Sequence, residues 1–295
     1  MFKVGIITDQ VSMDFGYALK IIKELGIKYI EIHSLWNKTI ENLTVDEAAR
    51  AQKLIEKYSL QVSNISSTLF LMCHLQESET ELESFDDYFI TKSGDYREHM
   101  RALEYCIKLC EIFATDKIRI FGFRKKKSLN DDTVVKMVIQ RLQQPVELAE
   151  KTGITLILEN CPHTYLGSGS LTRRVIDEVN SKNLKGLWDP GNALRTGIIP
   201  YPDDYKKIRE YILHIHAKDL VPENSDYQPV SLGEGEINYQ GIIKNLVEDN
   251  YEEIISLEPE YEDKTGGRVE SSRQCLAGIR KILSSLGIQL ESYYE

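Results

Sequence analysis

Short apolar runs of four to six residues alternate along the chain with longer stretches whose apolar positions recur every three or four residues. This alternation predicts strand and helix in turn. Lys3 to Thr8 reads as a buried strand stopping at Asp9, and Asp14 to Leu25 as a helix closed by Gly26. Lys28 to Ile32 is a second strand, ending near His33, and Thr44 with Glu47 forms a capping box for a helix running to about Tyr58. Gln61 to Ser67 is the third strand. The pattern then lapses from about Thr68 to Tyr96, a polar segment long enough to be expected to cover a cavity mouth.

The alternation resumes with a helix from Tyr96 to Phe113, a strand from Lys117 to Phe121 and a helix from Thr133 to Lys151 closed by Gly153. Ile154 to Leu158, Leu184 to Trp188, Ile212 to Ile215 and Glu253 to Leu257 are the remaining strands. Between and after them, helices are expected from about Leu171 to Asn180, around Tyr205, from Tyr239 to Asp249 and from Arg268 to Leu286. Eight strands rich in Ile, Val and Leu, each followed by a helix, require parallel pairing, because each crossover returns the chain to the same end. The expected fold is α/β, a single (β/α)8 TIM barrel occupying residues 1–295, with a cover at about 68–96. A doubly wound open sheet is the alternative. Its glycine-rich phosphate turn belongs after the first strand, where this chain has Thr8-Asp9-Gln10-Val11.

Four successive strands in the second half stop at a group able to bind a metal. Leu158 is followed by Glu159-Asn160-Cys161-Pro162, Trp188 by Asp189-Pro190-Gly191-Asn192, Ile215 by His216-Ala217-Lys218-Asp219, and Leu257 by Glu258-Pro259-Glu260. Pro190 cannot continue a ladder and Gly191 tolerates a sharp turn, so Asp189 stands at the strand's end. In a barrel these ends form the active-site face. Three carboxylates and an imidazole suit one divalent ion, Mn²⁺ first, with Mg²⁺, Co²⁺ or Zn²⁺ as alternatives. An ion held by Glu159, Asp189, His216 and Glu258 polarises a carbonyl or hydroxyl, and Glu159 and Glu258 then exchange protons on two faces of a bound sugar.

Asn192, Lys218, His33 and Trp36 are candidate substrate contacts at the same end; for Lys218 charge balance is the plainer reading, and for His33 and Trp36 a packed loop is an equal one. Taken singly, an acid at a strand end is more often a helix cap or an ion-pair partner. His214 is assigned to packing between barrel and helices, on the other side of its strand from His216. Gly233 and Gly235 read as turn residues, Asp219 as a loop cap, and Arg124-Lys125-Lys126-Lys127 as a solvated loop near the mouth. The net charge of −10 disfavours a nucleic-acid or anionic-membrane binder. Five cysteines without paired spacing read as reduced thiols in a cytoplasmic protein, and no run is long enough for a membrane span.

The ordered set Leu158-Glu159-Asn160, Trp188-Asp189-Pro190-Gly191-Asn192, His214-Ile215-His216-Ala217-Lys218-Asp219, Leu232-Gly233-Glu234-Gly235 and Leu257-Glu258 resembles the xylose isomerase-like barrels. That family comprises sugar isomerases and epimerases, inosose dehydratases and the endonuclease IV group. The resemblance implies a divalent metal on Glu159, Asp189, His216 and Glu258, with the two glutamates as acid and base in the epimerase members. Two departures narrow it. Where endonuclease IV completes a three-zinc cluster with histidines, this chain reads Ser66-Ser67-Thr68, Ile120-Phe121-Gly122-Phe123 and Tyr227-Gln228-Pro229. Where ketohexose 3-epimerases carry a histidine and an arginine, it has Asn192 and the run from Lys218 to Pro222. The expected activity is a metal-dependent isomerase or epimerase of a sugar, polyol or keto-sugar working through an enediolate. The alternatives are an inosose dehydratase-like lyase and, less favoured, an endonuclease IV-related DNA-binding protein. The expected partner is a small carbohydrate substrate, with a homodimer or homotetramer allowed.

Overall fold

In the computed structural model, which describes residues 2–76, 89–126, 128–224 and 226–291, eight parallel strands close into a barrel. We number them β1 (Lys3–Ile7), β2 (Tyr29–Ile32), β3 (Gln61–Leu69), β4 (Lys117–Phe121), β5 (Thr155–Glu159), β6 (Leu184–Trp188), β7 (Ile212–Ala217) and β8 (Ile254–Leu257). They pair in chain order, and β1 closes on β8 with Ile6 opposite Leu257. The expected (β/α)8 architecture is therefore observed.

The helices form where the sequence marks their ends. Thr44 and Glu47 make a reciprocal capping box at 3.2 and 2.8 Å for the helix Val45–Tyr58. Asp95 and Glu98 do the same for Tyr96–Phe113, and Gly153 closes Asp131–Thr152 with a positive φ. Each cap satisfies backbone donors or carbonyls that the helix itself leaves open.

Because strand side chains alternate, one set points to the helices and the other into the barrel. Ile30, Ile32, Ile118, Ile120, Ile215 and Ala217 belong to the main apolar core. The alternate positions are buried and polar: Glu31, His214, His216 and Ser256 bond one another across the barrel, and Arg119 bonds Glu159. The barrel is thus stabilised by apolar packing outside its wall and by polar pairing within it. His214 must be reassigned on this basis. Residues two apart share a face, so His214 lies on the same side as His216, and its Nε2 meets Glu31 at 2.5 Å and Ser256 at 3.0 Å.

Two hairpins interrupt the βα repeat. Ser34–Leu35 pairs with Lys38–Thr39 after β2, and Asp219–Glu223 pairs with Asp226–Val230 after β7. Of the expected cover at 68–96, residues 77–88 lie outside the described residues. Its flanks run along the mouth: Leu71 and Phe89 line the cavity, and the Thr68 hydroxyl donates to Glu41 at 2.6 Å while accepting from the Lys92 amide at 2.8 Å.

Candidate metal centre

Glu159, Asp189, His216 and Glu258, from the ends of β5 to β8, each bring one ligand atom to within 4.8 Å of the others. All four are buried, at one wall of a cavity of about 580 Å³ that Glu159 and Glu258 line directly.

Each side chain is aimed by its neighbours. Asp189 caps the short helix Pro190–Arg195, its Oδ1 accepting from the Asn192 amide at 2.8 Å, which leaves Oδ2 to the cluster. Asn160 clamps the same turn, donating to the Asp189 carbonyl and accepting from its amide, both at 2.8 Å. His216 is held through Nε2 by Glu31 at 3.1 Å, so its Nδ1 faces Glu258 at 3.1 Å and Glu159 at 3.6 Å. A carboxylate behind a histidine is the usual second support of a metal ligand, because it fixes ring orientation and basicity.

The two glutamates are not equivalent. Glu159 has both oxygens engaged by donors: Arg119 reaches Oε2 at 3.1 Å, and Asn192 reaches Oε1 at 3.1 Å. Arg119 is itself pinned by the Ser66 and Ser67 carbonyls and lies over the Phe121 ring. Glu258 instead faces two cationic groups, the Lys218 ammonium at 2.8 Å and His216.

Lys218 is fully buried, and its Nζ also lies 3.0 Å from Asp189 Oδ2 and 2.5 Å from Glu260. Its stem passes where a side chain on residue 191 would sit: a Cβ there would come within 2.3 Å of Lys218 Cγ, which explains Gly191. Gly235 is explained similarly, since a Cβ there would strike the Asp219 carboxylate, which gathers the amides of Leu220, Gly233, Gly235 and Ile237. Asp219 therefore fixes the loop behind the site.

The charges set the protonation pattern. Burial opposes ionisation of Glu258, but Lys218 and His216 outweigh it and hold the carboxyl well below the usual range. Burial pushes Asp189 up to about 7: the Lys218 ammonium opposes the rise, while the like charges of Glu258 and Glu159 add to it. Burial disfavours the cationic forms of Lys218 and His216 as well. The surrounding carboxylates prevail, led by Asp189 for the lysine and Glu31 for the histidine, and raise both.

Three atoms test whether the set fits a metal. Asp189 Oδ2, Glu258 Oε2 and His216 Nδ1 are buried without an aligned hydrogen-bond partner, although Lys218 stands within ion-pair range of both carboxylates. Buried polar atoms are nearly always bonded, and three orphans converging with a fourth carboxylate have the donor types and spacing of a divalent-cation site. Glu31, His214 and His216 also have suitable residue types, but their atoms are spent on each other at 2.5 and 3.1 Å.

Of the candidate substrate contacts, Asn192 and Lys218 line the cavity. His33 and Trp36 are not among its lining residues. His33 is buried with Nδ1 on Asp9 at 3.0 Å, Nε2 on the Ile90 carbonyl at 3.2 Å and its ring stacked on Phe89. Trp36 packs edge-on against Phe15 beneath the Arg50 guanidinium, because the tight hairpin after β2 turns it back onto the first helix. Sequence reasoning missed Glu31 and Arg119, which were legible as lone charges in the middle of apolar strands, and Arg195, Glu260, Tyr261 and Arg268, which two helix ends and the loop after β8 bring to the mouth.

The chain belongs to the xylose isomerase-like TIM barrel family, whose model matches residues 19–281. It is similar to an uncharacterized protein of Methanocaldococcus jannaschii, 32% identical over 122 residues, or 40% of this chain and 41% of that one. It is also similar to an inosose dehydratase of Clostridium botulinum, 29% identical over 127 residues, or 37% of this chain and 42% of that one. These matches span less than half the length of either curated relative. Among solved structures, the IolI protein with a bound zinc atom superposes with a TM-score of 0.74 at 13% identity, covering 96% of this chain and 99% of that one, which is a likeness of fold.

Proposed function

We propose that this protein is a divalent-metal-dependent isomerase or epimerase of a sugar, polyol or keto-sugar, working by proton transfer through an enediolate. The observation that carries the reading is the convergence of Glu159, Asp189, His216 and Glu258 at one cavity wall, with three of their atoms lacking an aligned hydrogen bond. A metal held there supplies polarisation of a substrate carbonyl or hydroxyl, which acidifies the neighbouring C–H.

The chain's own groups do the rest. Arg119 and Asn192 hold Glu159 as a fixed carboxylate at the cavity wall. Glu258 stays ionised beside Lys218 and His216, so one glutamate is placed to take a proton and the other to return one. Phe89, Phe121 and Tyr261 give the cavity apolar faces on which a sugar ring stacks, while Asn192 and Arg119 offer donors to hydroxyls. The substrate is a small molecule, and the mouth offers it both signs of charge, Asp9, Glu260 and Glu262 beside Arg195 and Arg268.

A dehydratase is the second reading. It is favoured by the buried Lys218 ammonium next to Glu258, which is placed to protonate a departing β-hydroxyl, and by similarity to an inosose dehydratase. Both readings begin with C–H proton removal and part afterwards.

The test is metal analysis of the purified protein, followed by ketoses, inososes and hydroxypyruvate in deuterated water. Isomerisation or epimerisation places deuterium on carbon with the formula otherwise unchanged, whereas dehydration gives a product lighter by one water. A protein that holds no stoichiometric divalent metal and labels no substrate sinks both readings.

A further inference from the structure

Lys218 stands on the oxygens that a metal would take. Its ammonium is 3.0 Å from Asp189 Oδ2 and 2.8 Å from Glu258 Oε2, two of the three unbonded atoms of the centre. Nothing about this position is loose: Gly191 leaves the channel for the lysine stem, and the Tyr239 hydroxyl donates to the Lys218 carbonyl at 2.7 Å. A third carboxylate, Glu260, receives the same ammonium at 2.5 Å but lies outside the converging four, about a third exposed at the mouth.

We propose that Lys218 is a built-in counter-cation that competes with the metal for Asp189 and Glu258 and is kept on Glu260 when the metal takes them. Four carboxylates, Glu159, Asp189, Glu258 and Glu260, crowd this pocket. Without a metal, buried carboxylates left unpaired are strongly destabilising, so a tethered cation preserves the empty centre. With a metal, the ammonium and the ion stand within contact range of the same oxygens, and their repulsion lowers metal affinity unless the lysine has another partner. Glu260 is that partner. This inference rests on the metal centre proposed above.

The experiment is calorimetric titration of Mn²⁺ into four metal-free proteins: the parent, Lys218→Met, Glu260→Gln and the double variant, with thermal unfolding of each before and after loading. Removing the competitor tightens Mn²⁺ binding by about ten- to hundredfold, in the range of ordinary antagonistic coupling between two ligands. It also lowers the unfolding temperature of the metal-free form. Glu260→Gln deprives the ammonium of its second partner and weakens Mn²⁺ binding, an effect that disappears when Lys218 is already methionine.

A parent that takes up no Mn²⁺ overturns the metal centre and this inference together. A parent that binds one Mn²⁺, with Lys218→Met binding equally or more weakly, overturns the inference alone. If Lys218→Met does not fold, Glu260→Gln decides: weaker binding than the parent supports the competition, and unchanged or tighter binding overturns it.

Discussion

Two polar clusters inside the barrel share His216 and differ in what they leave unbonded. In the inner one, both Glu31 oxygens are used, by His214 at 2.5 Å and by His216 and Ser66 at 3.1 Å, and Ser256 completes His214 at 3.0 Å. In the outer one, Asp189, Glu258 and His216 each present an atom without an aligned partner. Composition does not distinguish them, since both are buried mixtures of carboxylate and imidazole. Satisfaction does. A closed network fixes a conformation, whereas an open set of converging ligand atoms is a candidate site. His216 links them: its Nε2 is spent inward so that its Nδ1 is presented outward.

The largest effects are expected in the open cluster. Glu159→Gln and Glu258→Gln keep size and one oxygen donor, and each is expected to lower kcat by about 10²–10⁴-fold, the usual contribution of a general acid or base, while retaining some metal. Asp189→Asn and His216→Ala are expected to lose activity mainly through lost metal. Steady-state kinetics beside metal content checks both claims. Full turnover by both glutamine variants would remove the proton-transfer roles.

In the closed cluster the expected effect is indirect and smaller. Glu31→Gln leaves every outer ligand in place but loosens the ring of His216, so Mn²⁺ affinity should fall about 10–100-fold, as is typical when a ligand's supporting group is changed. A calorimetric Kd equal to the parent's would show that the inner cluster serves only the fold.

How much of this could be read beforehand follows from the chemistry of each position. An apolar run that stops at a charged group is a local signal, so Leu184 to Trp188 was bounded as observed and the four strand-end groups were identified. Glu31 and Arg119 carried a local signal too, because a lone charge at an inward position of a barrel strand requires a buried partner. The placement of His214 on the other side of its strand runs against the alternation, which puts residues two apart on one face. The hairpin after β7 carried no signal: Pro222 and Pro229 interrupt its strands, as edge strands allow but sequence patterns count against, and Asn224 takes the left-handed turn. Arg268 reaches the mouth by donating to the Asp9 carbonyl 259 residues away, a contact that exists only after closure. Trp36 failed because proximity to a strand end does not fix where a tight turn sends the side chain.

An unbonded buried atom is not by itself a site, and His99 separates the two cases. Its Nδ1 accepts from the Phe70 amide at 3.1 Å, and its Nε2, like His216 Nδ1, has no aligned hydrogen-bond partner among the described residues. Among the described residues, no carboxylate cluster converges on it. Burial is the main cause that takes its pKa down to about 3, with the Lys92 charge acting the same way and Asp95 against it. A folded pKa below the unfolded value of about 6.5 means that the unfolded chain binds the proton first, so stability is complete above that value and falls with pH below it. Between about pH 7.5 and 5.5 this one group should cost on the order of 1 kcal/mol. Groups common to parent and variant cancel when urea unfolding of the parent is compared with that of His99→Gln over this range. The parent should lose on the order of 1 kcal/mol more than the variant. Parallel pH profiles would mean that His99 already shares its proton in the folded protein, and that an unbonded nitrogen in this fold marks a charge-accepting site even without neighbouring carboxylates.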